Sequence, residues 1–297
     1  MTTQLARPRK IRENLAFNAF NIILMSILTL IIAYPMWNLV MATFSDARYL
    51  AEGSITFYPK GFTLENYEAV VRDVSLVKAF GVSVAKSLLG IITHVAFCAM
   101  VAFGMSKKDL AGRKLYTALG IITMFFSGGM VPTFLLYRRL GLLNNFMVYI
   151  IPAMFSYFDM VILMNFFRDL PPSLEESALI DGAGIWRVFF SIAIPLSIPV
   201  LATIALFTGV GQWNDFMTAR MFVSNKELHP LQMKLYEIIV RSQVSAMTNP
   251  AAGAVEQVTT RSIQLATIVL TTLPIVLIYP FVQKYFVKGM TLGAVKG

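Results

Sequence analysis

PPSLEESALIDGAGIWRVFFSIAIPLSIP, residues 171–199, separates two long apolar runs and carries punctuation that neither of them has. Pro171 and Pro172 end the helix before them, because the proline ring clashes with the preceding turn and biases its predecessor away from helical geometry. Ser173 stands three residues before Glu176, the spacing of a capping box, and predicts a short helix starting at Leu174. Gly182 suits the left-handed residue that closes a helix without a Cβ penalty. After a tight turn, Ile185, Trp186, Phe189 and Phe190 form an apolar stripe that ends at Pro195 and Pro199, where the next long run opens. The pattern predicts a helix-turn-helix lying on a membrane surface.

The rest of the chain supplies that membrane. Of 297 residues, 57% are hydrophobic and 14% charged, with 23 Phe and 17 Met, against about 45–50% apolar in soluble domains. A mean hydropathy of +0.66 leaves too little polar surface to cover a soluble core. Spanning a ~30 Å hydrocarbon layer takes about 20 apolar residues. Six stretches qualify, at 20–42, 84–104, 116–137, 146–167, 197–219 and 263–286. The fold class is therefore all-α integral membrane: six transmembrane helices in a single domain over 1–297, with the helix-turn-helix between spans four and five. The first stretch is too long for a signal peptide and lacks a small-x-small cleavage site, so it reads as a retained anchor.

Basic residues orient the spans. Arg7, Arg9, Lys10 and Arg12 precede the first, and Lys107, Lys108, Arg113 and Lys114 lie between the second and third, so both flanks are expected in the cytoplasm. That places both termini and the 168–196 loop inside, and 43–83, 138–145 and 220–262 outside. Arg138 and Arg139 oppose this order, and the first flank decides. In 220–262, Pro230 to Ile239 is expected to form a short interfacial helix, and Asn249-Pro250 with Ala251 to Ala254 a turn and loop. The net charge of +9 fits loops beside anionic lipid; with no basic run exceeding four charges within a few residues, nucleic acid is not expected as a partner. Cys98, the single cysteine, permits neither an intrachain disulfide nor a Cys-based metal motif.

Glu176, Ser177, Ala178, Gly182, Ile192, Ile194 and Pro195 match E-A-A-x(3)-G-x(9)-I-x-L-P at every interval, with Ser177 in place of the second motif residue and Ile194 in place of Leu. Together with FSGGMVPTFLL (126–136), IDGAG (180–184), WNDF (213–216) and YPFVQKYFVKGMTLGAVKG (279–297), in this order, the chain resembles carbohydrate-type permeases of ATP-binding-cassette importers. It is most similar to the LplC-like subgroup, and resembles the second membrane subunit of the maltose importer. The resemblance implies a complex with a second homologous permease, two ATP-binding-cassette ATPase subunits and an extracytoplasmic sugar-binding protein. It implies that Glu175, Glu176, Ser177, Ala178, Asp181, Gly182 and Ala183 couple to an ATPase cleft, and that the tail Gly293, Ala294, Val295, Lys296 and Gly297 also reaches the ATPases. Uronic-acid-containing oligosaccharides are the cargo it suggests for the subgroup. No phosphate-binding G-x-x-x-x-G-K-[ST] loop occurs, so ATP is expected to be hydrolysed by a partner and this subunit is read as a non-enzyme with no cofactor and no metal.

Charges inside hydrocarbon are costly and mark interior positions. Asp159, near the middle of the fourth span with Asn165, either accepts hydrogen bonds from sugar hydroxyls or bonds a neighbouring helix. Gln212, Trp213, Asn214 and Asp215 combine an aromatic face with polar groups, as a sugar path requires; Trp213 taken alone equally suits an interfacial anchor. Lys86 and Lys284 are read as snorkelling near span ends, His94 as a packing histidine, and Tyr137, Asn144 and Asn145 as an outer gate or ordinary loop. The competing class is a gradient-driven secondary transporter of a small polar solute, which would show inverted repeats and ionisable relays; neither is evident. Two histidines and one cysteine give an intramembrane enzyme little basis. Cysteines placed at Ser173 and at Met247, in a Cys98→Ala background, are expected to label from opposite sides of the membrane. Labelling of position 173 by an impermeant reagent outside intact cells would reverse the orientation.

Overall fold

The computed structural model describes residues 15–248 and 261–280, and its regular structure there is helical apart from one antiparallel bridge between Ser45 and Phe62. The first helix, α1 (Leu15–Thr43), leaves its apolar stretch uncovered by the rest of the chain. Its end is tied down: Trp37 Nε1 donates to the Phe57 carbonyl at 2.9 Å, and Asn38 Nδ2 donates to the Ile55 carbonyl at 2.9 Å. Short helices α2 (Ala47–Ala51) and α3 (Glu65–Arg72) lead to α4 (Val74–Ser106). Asp73 caps α4 by accepting from the Ser75 amide at 2.8 Å. At ~1.5 Å per residue α4 is about 50 Å long, well beyond the hydrocarbon thickness.

The third expected span is two helices, α5 (Arg113–Phe125) and α6 (Met130–Arg139), meeting at 115°. Residues 126–129 make the break, where Gly129 takes φ 83°, a conformation that glycine adopts without strain. The fourth expected span is shortened for a different reason. Pro152 has no N–H for the Val148 carbonyl, so a 3-10 turn at Phe146–Tyr149 gives way to further turns. Ser156 then restarts the chain as an N-cap, accepting from the Asp159 amide at 3.3 Å, and α7 runs Tyr157–Asp169. Thirteen residues cover about 20 Å, short of a full crossing. Asp159 thus lies in the first turn of a short helix, not at the middle of a span.

The loop helices are α8 (Pro172–Ile180) and α9 (Ile185–Leu196), and α9 meets α10 (Ile198–Asn214) at 78°. The bend falls at Ser197, between Pro195 and Pro199, neither of which can continue the hydrogen-bond ladder. The fifth expected span ends at Asn214, and α11 (Met217–Phe222) starts anew. The expected interfacial helix from Pro230 is longer than foreseen, α12 (Leu231–Thr248). The last described helix is α13 (Arg261–Pro280). Asn249 to Ala254, Lys284 and the remainder of the sixth expected span lie outside the described residues. Among the described residues, the unbroken helices long and apolar enough to cross a membrane are α1, α4 and α13, and the two bent pairs bring the candidates to five.

Helix α4 is the hub. Cys98, Ala99, Ala102 and Phe103 pack with Met160, Leu163 and Phe167 of α7, with Val188 and Phe189 of α9 and with Leu201 and Ile204 of α10. Leu76 and Ala79 at its other end join Val70, Trp213, Leu231 and Ala266. Close approach depends on small residues: a Cβ at Gly120 would lie 1.9 Å from the Tyr157 ring, whose hydroxyl donates to the Thr117 carbonyl at 3.2 Å. Gly120→Ala is accordingly expected to lower stability by about 1–3 kcal/mol, the range for overpacking, read as an earlier thermal midpoint of the purified protein. Tyr157→Leu in the same chain should recover part of the loss. An unchanged midpoint in the single variant would separate α5 from α7.

Candidate functional site

Two features of the bundle have chemistry to offer, the α8–α9 loop and a cavity beside α4. In the loop, the capping box does not form: the helix begins at Pro172, a residue earlier in register than Ser173 could cap, and Pro171 precedes it with no side-chain bond. Proline at the first helical position has φ already set and lacks an N–H that would be unpaired anyway. Ser173 is inside the helix, its carbonyl accepting from the Ser177 hydroxyl. The expected closure is present. Gly182 has φ 79°, its amide donates to the Leu179 carbonyl at 3.0 Å, and the Ala183 amide donates to the Ala178 carbonyl at 2.9 Å, the paired bonds of a Schellman motif.

This loop is clamped and exposed at once. Glu175 makes an ion pair with Lys107, the residue that ends α4, and the Lys107 ammonium sits 4.0 Å from the Phe103 ring centroid. Ala178 and Ala183 pack on the core. Glu176, Ser177 and Asp181 are exposed, as are Leu174, Leu179, Ile180, Ile185, Trp186 and Phe190, with Ile180 at 85%. A contiguous apolar surface of this kind on a fixed loop marks an interaction face.

The cavity, of about 440 Å³, is lined by Asp159, Gln212, Asp215, His94, Tyr137 and Tyr149 among others. Its carboxylates are partnered from behind by α4. Lys86, 0% exposed, donates from Nζ to the Asp215 carbonyl at 2.8 Å and to Oδ2 of the same residue at 3.2 Å, above the Tyr149 ring at 4.7 Å. Burial, with no path to a headgroup, overturns the snorkelling reading of Lys86. His94 Nε2 lies 3.0 Å from Asp159 Oδ2 and Nδ1 lies 2.7 Å from the Ala153 carbonyl. The ring is thus held between a carboxylate and a backbone carbonyl, with the Cys98 Sγ 3.6 Å from Nε2. Gln212 Nε2 donates to the Tyr149 carbonyl at 3.0 Å, and Asp215 Oδ1 accepts from the Thr218 amide at 3.1 Å.

The sequence-expected path residues therefore part company. Asp159, Gln212 and Asp215 share the cavity wall, while Trp213 lines an apolar recess with Phe80, Leu206 and Ile275 and donates from Nε1 to the Thr271 carbonyl at 2.9 Å. Asn214 is exposed, donating to the Val210 carbonyl at 3.0 Å and accepting from Gln232 at 3.2 Å, and Asn165 is exposed on α7. Asn144 holds the Asn225 amide at 2.7 Å, and Asn145 caps the 3-10 turn through the Met147 amide at 2.9 Å. The tail Gly293 to Gly297 lies outside the described residues. No group of three or more metal-type side chains occurs among the described residues. Lys86 and His94 are the site residues that reading the chain missed. Ser83, Lys86, Ser87, Gly90, His94 and Cys98 fall at helical spacing on one buried stripe of α4, a signal that was present in the letters.

The chain belongs to the family of binding-protein-dependent transport system inner membrane components, which it matches over residues 5–292. It is 39% identical over 281 residues to Protein LplC of Bacillus subtilis strain 168, covering 95% of each chain. It is 37% identical over 268 residues to the polygalacturonan/rhamnogalacturonan transport system permease protein YtcP of the same strain, covering 90% of this chain and 94% of that one. Its fold matches a chain in the crystal structure of a bacterial ABC transporter involved in the import of the acidic polysaccharide alginate, with a TM-score of 0.83 and 28% identity over 96% of this chain and 100% of that one. A similarity to these proteins is thus present along 90–96% of the chain.

The His94–Asp159 pair generates a stability prediction. Asp159→Ala leaves the buried His94 ring without its carboxylate partner and is expected to cost about 3 kcal/mol, whereas His94→Gln with Asp159→Asn replaces both members of the pair together and should cost markedly less. Thermal midpoints of the purified variants measure both. Equal losses would show that the two groups do not act as a pair.

Proposed function

We propose that this chain is the permease subunit of an ATP-driven ABC importer that carries a sugar or oligosaccharide across the cytoplasmic membrane, working over 1–297 as one transmembrane domain. The observation that carries the reading is the α8–α9 loop: an apolar, outward-facing surface with free carboxylates, closed at Gly182 and clamped to α4 by Glu175 and Lys107. Such a surface suits a docking partner that drives the bundle through α4. The partners are a second permease, for which the uncovered face of α1 is available, two ATPases that hydrolyse the ATP, and an extracytoplasmic sugar-binding protein. The tail Gly293 to Gly297 is assigned a further ATPase contact, and both termini and the α8–α9 loop are assigned to the cytoplasm with six crossings in all.

Cargo follows from the cavity and from the relatives. Carboxylates, an amide and two phenols lining about 440 Å³ offer hydrogen bonds to a hydroxyl-rich solute. The relatives named for polygalacturonan/rhamnogalacturonan and for alginate point to oligosaccharides that carry uronic acids. The path is assigned to Asp159, Gln212 and Asp215, with Asn165, Trp213 and Asn214 supporting the helices beside it.

Purification of the tagged chain from its native membrane is expected to bring down an ATPase and a second permease. In that complex, Gly182→Leu forces a side chain into a left-handed position, costing about 1–2 kcal/mol, and Glu176→Ala removes an exposed carboxylate from the docking face. Both variants should remain inserted while sugar-stimulated ATP hydrolysis falls about tenfold, the equivalent of about 1.4 kcal/mol of coupling. Normal stimulation in both would remove the loop from the coupling role.

A further inference from the structure

The cavity wall holds two carboxylates, yet an anionic saccharide is the cargo that the relatives suggest. Uncompensated, Asp159 and Asp215 would repel each uronate that passed, and strongly so in a site with little water. The geometry points to Lys86 and His94 as charge-compensating residues that let a uronate-bearing oligosaccharide move past Asp159 and Asp215. This rests on the permease reading above and adds to it which residues fit the path to an acidic cargo.

Four observations support it. Among the described residues, the ionisable side chains on the cavity wall apart from its two tyrosines are Asp159, Asp215 and His94. Each carboxylate is part-exposed, at 19% and 28% of its side chain, while its cation is set back at 6% for His94 and 0% for Lys86. Lys86 therefore balances Asp215 from behind the wall and His94 balances Asp159 from a mostly buried place on it, and the wall shows the solute hydrogen-bond acceptors whose charge is compensated. The placement is also rigid: Lys86 is held a second time by the Asp215 carbonyl, and His94 by the Ala153 carbonyl. Finally, both cations come from one stripe of α4, two turns apart, so a single helix sets the charge of the whole wall. A structural tie alone would not need the carboxylate member of each pair to be the one that faces the cavity.

The test uses the full importer complex in proteoliposomes with its binding protein and ATP inside, and two probes: trigalacturonate and its fully methyl-esterified, uncharged form. The readout is the ratio of acid to ester uptake, which a loss of packing would lower or raise for neither probe over the other. Lys86→Met should lower the ratio about tenfold by leaving Asp215 unbalanced, and Asp215→Asn should raise it by leaving Lys86 unbalanced. The double variant Lys86→Met/Asp215→Asn should return it to within about twofold of the unaltered complex. If Lys86→Met does not assemble, Asp215→Asn and the double variant still carry the sign and its reversal. Ratios that do not move, that move in the same direction for the two single variants, or that fail to return in the double would overturn the assignment. An unaltered complex that hydrolyses ATP with its binding protein but moves neither probe also overturns it and leaves the permease reading standing. A chain that forms no complex with an ATPase brings down the permease reading beneath it.

Discussion

A bilayer offers no hydrogen bonds, so every backbone group exposed where a helix breaks inside it must find a partner within the protein. This chain breaks its helices repeatedly, at 126–129, through 150–156, at Ser197 and after Asn214. Three polar side chains of the bundle go to these places. Lys86 donates to the Asp215 carbonyl beyond the end of α10, His94 to the Ala153 carbonyl in the turns before α7, and Gln212 to the Tyr149 carbonyl. Trp213 donates to the Thr271 carbonyl, and Ser83 accepts from the Leu231 amide at the start of α12 at 2.8 Å. The unbroken α4 supplies three of these groups. An irregular bundle is possible because one regular helix runs through it.

The same helix spans the distance between the two places where chemistry happens. Its middle carries Lys86 and His94 against the cavity, its last turn packs Phe103 on Phe167 and Phe189, and the residue after it, Lys107, grips Glu175 of α8. On the importer reading, a displacement of the α8–α9 loop would reach, through Lys107, a helix about 50 Å long that puts His94 on the cavity wall and Lys86 behind it. The joints needed for such a motion are the bends themselves: 78° between α9 and α10, with a π-helical stretch at Phe189–Ala193 just before it, and 115° between α5 and α6. Helix breaks of these kinds localise bending, while α4, α7, α9 and α10 share one packed core.

Much of this was written in the letters, and where it was not the reasons are specific. Hydropathy located α1, α4 and α13 and the two bent pairs, because burial in lipid needs only composition and length. It ran through FSGG and through Pro152, because a window average cannot weigh a Gly-Gly pair or a missing N–H against twenty apolar neighbours. The Gly182 turn was legible, since a left-handed closing residue is a local requirement. The Ser173 cap was not, because two rules competed there and proline at the first helical position won over the Ser–Glu spacing. Asp159 and Asp215 stood out as charges; their partners did not, since pairing across 65 and 129 residues of sequence is tertiary information. The Trp213–Asp215 cluster looked like one site but is split, because consecutive residues on a helix are about 100° apart and face different neighbours.

The buried pairs are poor candidates for the source of the bundle's stability. Desolvating two charges costs about as much as their attraction returns, and apolar residues of the same volume often do as well or better. What a pair provides that leucine cannot is a polar wall of fixed charge. Had α4 met α7 and α10 through apolar side chains at positions 86 and 94, Asp159 and Asp215 would stand alone, or be absent and leave the cavity with little to offer a hydroxyl. Placing the cation on the hub and the carboxylate on the shorter, jointed segments has a further consequence. On the importer reading, movement of α7 or α10 relative to α4 would change the charge that the cavity presents as well as its shape, so that for a hydroxylated, acidic solute the opening of the path and the release of its grip would be one event.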